Sequence, residues 1–254
     1  GQLCGKAPQA MPLTLATITP GNPEIFASLQ GEGPSVGMPV AFLRTSRCNL
    51  SCHWCDTPYT WHFAGDDRGH ASGRTWDRML NQVTLPEEEV AELVAALGQD
   101  RLVLTGGEPL LQGSALARML EFLPDLAVEV ETNGTVMPAE ALDLRVVQYN
   151  VSPKLAHSRN PAAMALRPDM LDHWAADPRA YLKFVIAAPG DVVQVAELSR
   201  RHGFAHQRVA LMPEGTDSAI LREQLAWLAP LCMDHGFRLS DRLHIHLFGD
   251  TRGT

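Results

Sequence analysis

Cys48, Cys52 and Cys55 stand within eight consecutive positions, at the spacing C-x3-C-x2-C, in a chain with five cysteines. Thiolates crowded in this way ligate metal. A structural zinc site needs four ligands, usually as two pairs. Here Cys52 and Cys55 have no second pair downstream, Cys4 lies near the N-terminus and Cys232 is isolated in a helical stretch. His53 or His62 could supply a fourth ligand, although nothing in their spacing requires it. A redox C-x2-C pair would leave Cys48 unexplained. Three thiolates suit a [4Fe-4S] cluster in which one iron has no protein ligand. S-adenosylmethionine (SAM) fits such an open iron, because its amino and carboxylate groups can chelate the metal beside the sulfonium. An electron from the cluster can then break the S–C5′ bond to give a 5′-deoxyadenosyl radical, with the protein left to orient and shield it.

The elements that must position these cysteines read as an alternation. Short apolar, β-rich runs fall at Val40–Thr45, Arg101–Thr105, Ala127–Glu131, Val146–Val151, Tyr181–Ala187, Arg208–Met212 and Leu243–Phe248. Between them lie patterns with apolar residues at three- and four-residue steps, which predict helices over Pro86–Leu97, Ser114–Leu123, Ala162–Trp174, Val192–His202 and Ser218–His235, the last interrupted near Pro230. Strands alternating with helices at this spacing predict βαβ units and a mostly parallel sheet. The stretch from His62 to Val83, rich in Gly, Asp and Arg, fits no element and reads as a loop or lid.

Polar clusters follow these runs. The cysteines come after the first, TGGEP (105–109) after the second, ETNG (131–134) after the third, SPK (152–154) after the fourth and MPEG (212–215) after the sixth. In a parallel sheet the C-terminal strand ends share one edge, so these clusters converge in space. That edge carries the chemistry of closed or partly closed α/β barrels and of doubly wound open sheets. The plain alternative for any single cluster is a turn built from Gly, Pro and Asn.

The 254 residues suffice for a substantial core, and a net charge of −8 argues against a nucleic-acid surface. No apolar run is long enough for a membrane helix. Residues 1–20 read as a leader, with Met11 an alternative start, and 21–254 as one domain with 62–85 inserted as a loop or lid. Odd, clustered cysteines are no disulfide framework, so a reducing, cytoplasmic setting is expected.

C-x3-C-x2-C after one strand and GGEP after the next resemble the radical SAM superfamily. A narrower resemblance, to the 7-carboxy-7-deazaguanine synthases of the queuosine pathway, rests on FASLQGEGPSVGMPVAFLRTSRCNLSCHWCDTPYTW (26–61), LTGGEPLLQ (104–112), VEVETNGT (128–135) and NVSPK (150–154). It implies an incomplete TIM-type barrel, a homodimer, and a radical ring contraction of 6-carboxy-5,6,7,8-tetrahydropterin with loss of ammonia. The cofactors it implies are a [4Fe-4S] cluster, SAM and Mg2+, with an external electron donor such as flavodoxin or ferredoxin.

By this resemblance Cys48, Cys52 and Cys55 hold the cluster and Thr57 meets Mg2+. Trp54, Cys55, Asp56, Gly106, Gly107, Glu108, Ser152, Pro153, Lys154, Met212, Pro213, Glu214 and Gly215 surround SAM. Gly106 and Gly107 would allow its close approach to the backbone. Leu29, Gln30, Gly31, Arg44, Thr105 and Thr254 would meet the substrate, while Glu131 and His246 are the candidate catalytic groups. Each has a plainer reading: an Asx turn at Asp56, a surface ion pair for Arg44, and a sheet-edge carboxylate paired to a lysine for Glu131. Two other functions stay open on the residues alone. One is a glycyl-radical activating enzyme, which shares the cysteine triplet; the other is a zinc-stabilised binding module.

Overall fold

The computed structural model describes residues 10–254. The expectation for the leader's first nine residues, with Cys4, lies outside them. The strands are β1 (Leu13–Thr19), β2 (Asn22–Pro23), β3 (Ile25–Leu29), β4 (Pro39–Thr45), β5 (Gln82–Leu85), β6 (Arg101–Gly106), β7 (Ala127–Thr132), β8 (Val146–Val151), β9 (Ala180–Ile186), β10 (Val209–Pro213) and β11 (Arg238–Leu239). The helices are α1 (Arg78–Asn81), α2 (Glu87–Ala95), α3 (Gly113–Glu121), α4 (Glu140–Asp143), α5 (Ala162–Ala165), α6 (Pro168–Ala176), α7 (Pro189–His202), α8 (Ser218–His235) and α9 (Leu243–Phe248). One sheet runs β11-β10-β9-β8-β7-β6-β4-β1-β2, parallel from β4 through β11, with β3 and β5 added antiparallel to β4 and β1. The result is a partial barrel with its helices outside.

The two-residue period of the strands divides their side chains between two environments. Leu102, Leu104, Val128, Val130, Tyr149, Val151, Leu182, Phe184, Val209 and Leu211 belong to the large core, which they share with Leu116, Met119, Leu120, Trp174, Val192 and Leu228 of the helices. The alternate residues face inward. Near the bottom of the barrel Phe26, Val40, Phe42 and Val103 form a small apolar plug. Beside it, Glu129 is fully buried and accepts from Arg101 Nε at 2.8 Å, Ser35 Oγ at 2.9 Å and Asn150 Nδ2. Above this floor the inward positions turn polar and form a cavity.

Five sequence expectations are corrected. Leu243–Phe248 is a helix: L-H-I-H-L-F alternates like a strand, but α9 pairs with no strand, and Gly249 at φ +70° ends it. Residues 13–19, expected within a leader, form β1, whose first five residues are buried. The stretch expected as an unstructured loop after His62 contains α1 and the start of β5. The helix expected over 162–174 is broken into α5 and α6, because Pro168 has no N–H to extend a helix and instead opens one. Pro230, by contrast, is carried inside a continuous α8.

Trp174 links the core to the C-terminal edge of the sheet. It is fully buried, lies 4.9 Å from the Tyr149 ring, and its indole N–H donates to the Gly134 carbonyl at 2.9 Å. Trp174→Ala is expected to lower the unfolding free energy by about 3–5 kcal/mol through the cavity and the lost bond. Denaturant titration checks this; a loss under about 1 kcal/mol would contradict the assigned packing.

Candidate functional site

The loop after β4 carries the three cysteines, and its shape depends on what it packs against. Arg47 takes a left-handed conformation at φ +75°, unusual for a side-chain-bearing residue. Its N–H donates to the Thr60 carbonyl at 2.7 Å, and its own carbonyl accepts from Glu108 N at 2.9 Å. The end of β6 therefore lies directly on the loop. A Cβ on Gly107 would come within 1.9 Å of the Arg47 carbonyl oxygen, and one on Gly106 within 2.3 Å of Thr45 Oγ1. Gly106 and Gly107, expected to let SAM approach the backbone, also permit a close contact between two segments of the chain itself.

Each cysteine sulfur has a polar neighbour. Asn133 Nδ2 lies 3.9 Å from Cys48 Sγ, Asn160 Nδ2 lies 3.2 Å from Cys52 Sγ, and Thr57 Oγ1 lies 3.7 Å from Cys55 Sγ. Burial pushes the Cys48 thiol up to about 12 and the Cys55 thiol up to about 11, and it raises Cys52 as well. In this environment the sulfurs become thiolates only when positive metal offsets the lost solvation. Among the described residues no three His, Cys, Asp or Glu side chains are arranged to hold a single ion. A cubane takes one thiolate per iron, so its ligands stand apart. The donor set fits an iron–sulfur cluster.

All three cysteines line one cavity of about 600 Å³ at the C-terminal edge of the sheet. Trp54, Ser152, Lys154, Met212, Pro213, Glu214 and Gly215 line it as well, with Gly106 and Gly107. Lys154 Nζ donates to Ser152 Oγ at 2.8 Å and lies 5.8 Å from the Trp54 ring centre. The buried Trp54 indole N–H has no hydrogen-bond partner, an unsatisfied donor at the wall where a ligand is expected. Pro153 does not reach the wall. Neither does Glu108, which is fully buried behind it and accepts from Leu110 N at 3.0 Å, Thr132 Oγ1 at 2.8 Å and Asn133 N at 2.7 Å. Burial pushes its carboxyl up to about 7, against those three hydrogen bonds. Glu108 thus joins TGGEP to ETNG from beneath.

The lining also includes Leu29, Gln30, Gly31, Arg44, Asp56, Thr57, Thr105 and Glu131. Gln30 Nε2 donates to Glu129 Oε1 at 3.0 Å and to Glu131 Oε1 at 3.2 Å, and Thr105 Oγ1 donates to Glu131 Oε2 at 2.8 Å. Glu131 is therefore held by an amide and a hydroxyl, not by a lysine. Arg44 is ion-paired, but inside the cavity instead of on the surface. Its Nε donates to Glu24 Oε1 at 2.9 Å and its Nη1 to the Gly106 carbonyl at 3.3 Å. Glu24 also accepts from Tyr59 Oη at 2.9 Å.

The C-terminal segment supplies the remaining wall, with His244, Ile245 and Gly249–Thr254 lining it. Thr254 is among them. His246 is not: its ring lies between Ser218 Oγ at 2.5 Å and Asp241 Oδ1 at 3.0 Å, turned away from the cavity. In a helix, neighbours two apart point to opposite sides, so placing His244 on the cavity sends His246 outward. Sequence reading also missed Glu32, Asn150, Lys183 and Arg242. Lys183 had a usable signal, since a lysine centred in the apolar run YLKFVI must face something other than the core.

The packing of Gly107 yields a direct test. Gly107→Ala must push the cysteine loop off β6, at a cost of about 1–3 kcal/mol. We expect the variant to assemble much less cluster after anaerobic reconstitution while its circular dichroism stays normal. Wild-type iron content would show that the contact does not shape the loop.

Residues 42–222 match the family model of the radical SAM superfamily. A 7-carboxy-7-deazaguanine synthase from Pyrobaculum aerophilum is 36% identical over 233 residues, which cover 91% of this chain and 95% of that one. One from Hyperthermus butylicus is 37% identical over 230 residues, covering 87% and 90%. A crystal structure of QueE from Escherichia coli superposes with a TM-score of 0.63 at 25% identity, covering 92% of this chain and 95% of that one. With its three cavity-lining cysteines at the end of the first parallel strand, the chain belongs to the radical SAM superfamily and, within it, to the 7-carboxy-7-deazaguanine synthases.

Proposed function

We propose that the protein converts 6-carboxy-5,6,7,8-tetrahydropterin to 7-carboxy-7-deazaguanine with release of ammonia, acting as a radical SAM carbon–nitrogen lyase. One observation carries this reading. A single cavity of about 600 Å³ is lined jointly by the cysteine trio and by Gln30, Arg44, Thr105 and Glu131. That volume lies in the range of small-molecule binding sites. The names of the relatives supply the product, and the resemblance in sequence supplies the substrate. Membership of this family sets aside the zinc-stabilised module and disfavours the glycyl-radical activating enzyme.

Cys48, Cys52 and Cys55 would hold the [4Fe-4S] cluster, with Trp54, Ser152, Lys154 and Met212–Gly215 around SAM. When bound, the two supply hydrogen-atom abstraction by a carbon radical. The chain's own residues bind, orient and exclude water. Arg44 and Lys183 bring positive charge to the cavity wall, suited to a substrate carboxylate. Gln30, Thr105 and Glu131 form a fixed line of donors and acceptors suited to a heterocycle edge. Glu131, joined to Thr105 and Gln30, is the carboxylate best placed to take or return a proton there. Thr57, beside Cys55 and Asp56, offers a hard oxygen for Mg2+, with substrate oxygens and water completing its sphere.

The resemblance also supports a homodimer and a flavodoxin- or ferredoxin-type electron donor, and the unpaired cysteines favour a reducing, cytoplasmic setting. Among the described residues no helix is long and apolar enough to cross a membrane.

The test is anaerobic turnover. Reconstituted protein given SAM, a low-potential reductant, Mg2+ and the carboxypterin should form the deazaguanine acid. An intact cluster that cleaves SAM without forming it would overturn the reading. Thr57→Ala should weaken Mg2+ stimulation by about tenfold or more with the cluster unchanged. An unaltered Mg2+ dependence would remove Thr57 from the metal site.

A further inference from the structure

The cavity's far wall is made by a segment with little stability of its own. Helix α9 has six residues, too few to hold in isolation, so its place is set by tertiary contacts. Leu243 N donates to the Gly31 carbonyl at 2.9 Å. His244 lies so close that a Cβ on Gly31 would fall 2.1 Å from its Nδ1. Farther along, Arg252 stacks 3.5 Å over Tyr59 and donates to the Thr17 carbonyl at 3.1 Å.

The most connected anchor is Arg242, at the N-terminus of α9 and 6% exposed. Its three nitrogens reach three separate segments. Nε donates to Glu32 Oε1 at 3.0 Å, Nη1 to the Gly215 carbonyl at 2.5 Å and Nη2 to Asp56 Oδ2 at 2.5 Å. Asp56 adjoins Cys55, Glu32 follows Gln30-Gly31, and Gly215 closes MPEG. Lys183 also donates to Glu32, so two carboxylates and two cations balance. Removing Arg242 would leave Glu32 with Lys183 alone and would release Asp56, which is 39% exposed, from the α9 segment.

We infer that Arg242 is a positioning residue, whose guanidinium fork fixes the C-terminal wall against the cysteine loop and so holds the surface that meets the substrate. The inference rests on the pterin reading for its kinetic consequence only. A lysine in its place keeps the charge but offers no planar fork for three acceptors in different directions.

Wild type, Arg242→Gln and Arg242→Lys are to be compared after anaerobic reconstitution. In Arg242→Gln iron content should be unchanged, while amide exchange over residues 243–254 without substrate accelerates about tenfold or more. The KM for the carboxypterin should rise about 10- to 100-fold, with the KM for SAM little altered. Arg242→Lys should fall between, and it carries the test alone if the glutamine variant does not fold. Wild-type exchange and wild-type KM in either variant would overturn the inference. So would equal weakening of both KM values with loss of iron, which marks a general structural role. If wild type turns over no carboxypterin, the function reading fails, whereas the exchange comparison still decides whether Arg242 holds the wall.

Discussion

The site depends on one close approach: the backbone of the cysteine loop lying on the glycines that end β6. The Arg47 carbonyl occupies the space that a side chain at position 107 would need, and the same carbonyl accepts the Glu108 N–H. A strand end with side chains there would hold the loop away and scatter the three sulfurs. Glycine's missing Cβ is used here to join two parts of the protein, and the strained Arg47 is kept in place by bonds on both sides.

From that contact the other layers follow. Glu108, buried beneath the loop, carries the constraint to ETNG through Thr132 and Asn133, and Asn133 in turn faces Cys48. Trp174 braces the same turn from the helical layer. On the opposite side, the Glu129 network with Arg101, Ser35 and Asn150 supports Gln30 and, through it, Glu131. The cysteine loop and the Gln30–Glu131 line thus rest on different buried carboxylates, Glu108 and Glu129, each satisfied by several donors. Such networks rigidify a site because every member has one arrangement that leaves no polar group unpaired.

The C-terminal wall is of another kind. It has few apolar contacts and is held by arginines acting at a distance from their own backbone: Arg242 across the cavity and Arg252 over Tyr59. Segments of this sort open more readily than core strands.

The sequence by itself determined the cysteine spacing, the parallel β/α alternation, and the placing of TGGEP, ETNG, SPK and MPEG on one edge. These are local matters: spacing and periodicity are written in consecutive residues, and parallel strands put their ends together by geometry alone. Only the tertiary structure decided what depends on partners far along the chain. It made a helix of Leu243–Phe248, since an alternating segment without a neighbouring strand has no ladder to join, and it turned His244 inward and His246 outward. It drew β1 out of an expected leader, because Leu13 and Leu15 complete a core whose members extend as far along the chain as Phe237. It showed Gly107 serving chain packing and Glu108 serving as a buried brace. And it brought Arg242 to Asp56, 186 positions apart, a pairing that charge favours but that no stretch of sequence contains.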